Sequence, residues 1–199
     1  MRSAATHFGD LMAPKLSPRS PTTIENGLTT AGHPDLHNFT PLERILLTAN
    51  GNLQRIVSSY HAKPVDVRVV YNNETATGIF FRQVTLHLDN AVLPFCRATS
   101  KVTVTNPDML LAIASNQIGI GQLFRHFDTL PVFTLRSVQR GTCENVNAIV
   151  ESAALPCSNV DNQKEGDPFW RLYQLKAKAG ITCMILEQFQ GSVLSVNEK

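Results

Sequence analysis

Charge is scarce in this chain: of 199 residues only 17% are Asp, Glu, Lys or Arg, and the formal net charge is +2. So slight a balance, with no basic run or interleaved aromatic stripe, argues against a nucleic-acid partner. No uninterrupted apolar stretch approaches the ~20 residues that a membrane helix needs, and the N-terminus lacks the apolar core of a secretory signal. The four cysteines, Cys96, Cys143, Cys157 and Cys183, show no CxxC spacing, so no zinc site is indicated and free thiols are expected. Also missing are a Gly-rich phosphate loop, an HExxH pair and a nucleophile elbow; neither a metal nor an organic cofactor is signalled. These absences predict a cytoplasmic protein with no membrane partner and leave its oligomeric state open. An organellar presequence stays open as well, because Arg2, Lys15 and Arg19 stand among many Ser and Thr, though Asp10 and the nearby prolines weaken it.

What is present is an ordinary apolar share of 43%, enough for one domain with a proper core. Residues 1–36 are rich in Pro, Ser, Thr and Gly and read as a flexible tail, leaving 37–199 as a single domain. Thr40-Pro-Leu-Glu43 is a capping box with Pro at the first helical position. A second helix resumes after Asn50-Gly51 and runs to about Tyr60. Val65–Tyr71 reads as a strand, Asn106-Pro107-Asp108 opens another helix, and Gly119 and Gly121 allow a bend in QIGIGQLFRHF. Pro131–Gln139 is a further strand, residues 141–167 form a polar excursion from the core, and Phe169–Lys178 and Ile181–Phe189 close the fold as a hairpin. Strands that mostly follow one another directly, with helices packed against them, predict an α+β fold with an antiparallel sheet.

The most informative stretch is Thr77–Val104, where two strand-like runs flank Asp89-Asn90, a pair suited to a tight hairpin turn. An uninterrupted two-residue turn sets Leu86 opposite Leu93, Val84 opposite Phe95 and Arg82 opposite Arg97. Both arginines then share an apolar face, an unfavourable pairing unless an anion lies between them. In the last strand, CMILEQF, Glu187 shares a face with Cys183, Ile185 and Phe189, and so points to the core side. Glu187 then either ion-pairs with one arginine as a structural bridge or helps line a pocket; one carboxylate does not balance two guanidiniums.

The chain resembles the chorismate–pyruvate lyase family and the related effector-binding domains of bacterial transcription regulators. The resemblance spans about Leu42 to Phe189 and rests on RILLTANGNLQRI, FFRQVTLHLDNAVLPFCRATS, IGIGQLF and MILEQF, in that order and with the matched spacing of the two arginines. It implies a six-stranded antiparallel sheet with helices acting as flaps over an internal ligand pocket. It further implies a cofactor-independent carbon–oxygen lyase that converts chorismate to 4-hydroxybenzoate and pyruvate. By the same likeness Arg82 binds the ring carboxylate, Glu187 the para oxygen and Arg97 the carboxylate of the departing group. Ile120 and Gly121 contact the ligand, and the segment at Asn52 closes over it. Gly51-Asn52-Leu53 departs from the Ser or Thr of many relatives, and 141–167 is longer than expected. Two other readings keep a small carboxylic acid as partner: rearrangement or cyclisation of another secondary-metabolite acid, and a non-catalytic acid-binding module.

Overall fold

The computed structural model describes residues 36–116, 119–152 and 166–191; the expected tail, apart from Leu36, lies outside them. At Thr40 the capping box forms as the sequence predicts. Glu43 N–H donates to Thr40 Oγ1 at 3.3 Å and Thr40 N–H donates to Glu43 Oε2 at 2.7 Å, starting α1 (Pro41–Thr48). The chain turns at Gly51, where φ is +75°, and α2 (Leu53–His61) buries Leu53 and Val57. Strands β1 (Val65–Ala76), β2 (Ile79–Leu88) and β3 (Cys96–Val104) follow. Between β1 and β2, Gly78 has φ +72°, and a Cβ there would collide with the Val104 carbonyl oxygen. Helix α3 (Pro107–Ala114) is capped by the Asn106 side chain, which accepts from the Asp108 and Met109 amides. Next come α4 (Ile120–His126), β4 (Val132–Arg140), α5 (Val146–Ser152), β5 (Phe169–Ala177) and β6 (Ile181–Phe189). Of the two glycines expected to allow a bend, Gly119 precedes α4 and Gly121 lies within it.

The strands form one six-stranded antiparallel sheet in the order β1-β2-β3-β6-β5-β4. Among the described residues no helix is long and apolar enough to cross a membrane.

Two expectations are corrected. Asp89 and Asn90 do form the tight turn, with φ +48° and +58° and Ala91 N–H donating to Leu88 O. The chain then leaves the ladder over Val92, Leu93 and Pro94, and pairing resumes with Leu86 opposite Cys96 rather than Leu93. Pro94 has no N–H to offer a ladder. The slip is three residues, an odd number, so every later side chain of β3 changes face. Arg82 consequently faces Ser100, while Arg97 lies opposite Thr85 on the other side of the sheet and is exposed. The second correction concerns 141–167. Residues 153–165 lie outside the described ones; of the rest, Val146–Ser152 forms α5, which packs on the sheet rather than departing from it, burying Ile149 and Val150 against Trp170, Leu172, Met184 and Leu186.

Strand alternation makes the inner face a set of cross-sheet rows. The row Leu86–Cys96–Phe189–Phe169 is covered by α1 and α2. The row Phe80–Val102–Cys183–Leu175 is covered by α3 and α4. Between them run Val84–Ala98–Glu187–Arg171 and Arg82–Ser100–Ile185–Tyr173. On β3 these middle rows carry only Ala98 and Ser100, and small side chains on a central strand leave space above it.

Candidate ligand cavity

That space is a cavity of about 400 Å³. Its floor is Ala98, Ser100 and Ile185, and its walls include Val84, Leu86, Leu175 and Tyr173. The turn at Gly51 and the start of α4 at Ile120 and Gly121 close over it. These two segments approach closely: a Cβ on Gly121 would sit 3.6 Å from the Gly51 carbonyl oxygen, an ordinary contact that a larger branched side chain would exceed.

Arg82 and Glu187 both line the cavity. They stand on strands separated only by β3 and on neighbouring rows, which puts their Cα atoms about 12 Å apart by strand spacing and rise. Arg82 is 3% exposed, and its Nη1 has no hydrogen-bond partner. Among the described residues no carboxylate pairs with it. Burial pulls its guanidinium below the ordinary arginine value, the signature of a charge taken from water without compensation.

Each Glu187 oxygen accepts a hydrogen bond, but not from either arginine singled out in the sequence. Its Oε2 accepts from Arg171 Nε at 2.7 Å and its Oε1 from the Tyr173 hydroxyl at 2.8 Å. Arg171 is sealed from solvent. Its Nη1 donates to the carbonyls of Leu47 and Ala49, at 3.1 and 2.7 Å, where α1 ends before the Gly51 turn, and its guanidinium lies 4.4 Å from the Tyr173 ring centroid. Burial, the largest single influence, lowers the Arg171 guanidinium; the Glu187 carboxylate, with smaller help from Tyr173 and Cys96, more than offsets it, and the group is held above its ordinary value. Burial, with Glu187 second, pushes the Tyr173 phenol well up, so it remains a neutral donor. Glu187 therefore accepts at both oxygens with lone pairs to spare for a ligand hydroxyl.

The cavity thus brings together Arg82, Glu187, Ile120 and Gly121. It excludes Arg97, and Asn52 is exposed beside it, between the lining residues Gly51 and Leu53. Arg171, Tyr173, Ser100 and Arg125 were not anticipated. The signal for Arg171 was available: in FWRLYQLKA it alternates with Phe169, Tyr173 and Leu175, the same apolar-face test that singled out Glu187. His87, on the outer face of β2, is buried and bonded to Ala91 O and Thr85 Oγ1. Cys96, Cys143 and Cys183 are free thiols; Cys157 lies outside the described residues.

Compared with known proteins, the chain matches no protein-family model and no curated protein.

Proposed function

We propose that this protein is a cofactor-independent lyase of a small unsaturated carboxylic acid, with chorismate as substrate and 4-hydroxybenzoate and pyruvate as products. One observation carries the reading: a buried arginine without a carboxylate partner among the described residues lines one side of a cavity of mixed polar and apolar lining, and a hydrogen-bonded carboxylate lines the other. A ring acid with an oxygen para to its carboxylate complements that pair.

Arg82 offers the ring carboxylate a planar fork of two donors, and the ligand supplies the missing counter-charge. Glu187, held by Arg171 and Tyr173, accepts from the ring hydroxyl and fixes the ring's rotation. In the reaction the bond between ring carbon and ether oxygen breaks. The hydrogen lost from the hydroxyl-bearing carbon is balanced by the one gained at the methylene of the departing enol, which becomes pyruvate. Aromatisation makes the step downhill. What the chain contributes is a fixed reactive conformation and donors near the ether oxygen as charge develops.

The test is to incubate purified protein with chorismate and follow both products together. Equal amounts of 4-hydroxybenzoate and pyruvate are expected, with the rate falling about 100-fold or more in Glu187→Gln. A folded sample that binds 4-hydroxybenzoate but never turns chorismate over would reduce the protein to an acid-binding module.

A further inference from the structure

Arg97's departure from the inner face raises the question of what holds a second negative group. Two cations line the cavity, Arg82 at its base and Arg125 on α4; the lining carboxylate, Glu187, is already committed to Arg171 and Tyr173. Arg125 follows Gly121 by four residues, so both project from the same side of α4. Gly121 is the residue that abuts the Gly51 turn. Arg125 is exposed and, among the described residues, has no ion-pair partner. Its polar neighbours in the lining are occupied locally: Gln122 Oε1 accepts from Gly119 N–H, and Gln54 Nε2 donates to Val65 O.

We propose that Arg125 is a specificity-determining residue that binds a second carboxylate at the cavity mouth, making the site selective for acids with two anionic groups. The inference rests on the acid-binding reading of the cavity and names the substrate class it prefers. One anion meets the desolvated Arg82 and provides most of the affinity. The other meets an arginine still in contact with water, where a charge-assisted contact is worth roughly tenfold and weakens with salt. Loss of the second group on cleavage releases that contact, so the mono-anionic ring product is held less tightly than the substrate.

A matched pair of unreactive probes tests this by calorimetry: 4-hydroxy-3-methoxybenzoate, and 3-(carboxymethoxy)-4-hydroxybenzoate, which keeps the para hydroxyl and adds a carboxylate through the same ether oxygen. The wild type is expected to bind the dianion about tenfold more tightly than the methoxy acid. Arg125→Gln, a change at an exposed position, is expected to erase that preference and leave the methoxy acid unaffected. Equal weakening of both probes, no preference in the wild type, or binding of neither overturns the proposal. The lyase reading fails separately. An Arg125-dependent preference without chorismate turnover sinks the lyase and keeps the selectivity, whereas turnover with a KM that ignores Arg125→Gln does the reverse.

Discussion

Arg82, Arg140 and Arg171 are all almost sealed from solvent, yet among the described residues only Arg140 and Arg171 pair with a carboxylate. Removing one member of a buried pair strands the other charge and typically costs 3–5 kcal/mol, so Arg171→Met is expected to destabilise the protein by about that much. Arg82→Met should do the opposite. It replaces an uncompensated buried charge with an apolar side chain of similar reach, and a gain of about 1 kcal/mol would appear as roughly 2–4 °C in Tm. The same variant should lose all stabilisation by 4-hydroxybenzoate. Thermal melts with and without the acid read both quantities; a large drop in Tm for Arg82→Met would mean that Arg82 is structural. Part of this was legible in the sequence, since Arg82 and Glu187 stand out as charges on apolar strand faces. Their pairing was not, because alternation says which face a residue takes and nothing about which neighbour on that face reaches it first.

Among the elements, the central hairpin shows how far a turn signal goes. Asp89-Asn90 formed the expected turn, but three residues beyond it, ending in Pro94, moved the register by an odd step and carried Arg97 away from Arg82. The starts of α1 and α3 were read correctly because a cap is a local contact between residues two or three apart. The capping box of α1 also has a long-range role that no local pattern reveals: Glu43 takes a bidentate bond from Arg140 on β4, 3.1 Å from Nη1 to Oε1 and 2.5 Å from Nη2 to Oε2, while Nε and Nη2 also donate to Asn38 O. This clamp fixes α1 against the sheet, and α1 ends at the carbonyls that hold Arg171. Glu43→Gln is therefore expected to lower the unfolding free energy by on the order of 3–5 kcal/mol, measured in urea. A loss under about 1 kcal/mol, the value of an ordinary helix cap, would show that the clamp is not coupled to the core.

Across the whole molecule, the antiparallel architecture with helices against it followed from strands succeeding one another directly. The cavity did not, since it depends on Ala98 and Ser100 falling between two covered rows once the register is set. The packing of both faces also buries groups that prefer to stay neutral. Burial raises the Cys183 thiol from its ordinary 9.0 to about 12 and the Cys143 thiol to about 11, and it lifts the Tyr173 phenol well above its usual value. Each of these groups keeps its proton in the folded state at a pH where the unfolded chain has released it. The unfolded state then binds fewer protons, and stability falls as pH rises. Their contribution is whole below about pH 9 and is lost as pH climbs through 11 and 12. Unfolding in urea under reducing conditions should give a midpoint that is steady from pH 7 to 8.5 and declines progressively above pH 9. Cys183→Ala, which removes the thiol on the inner face, should shallow that decline. A midpoint still level at pH 11 would mean that these groups ionise as readily in the fold as in the open chain, and that water reaches them.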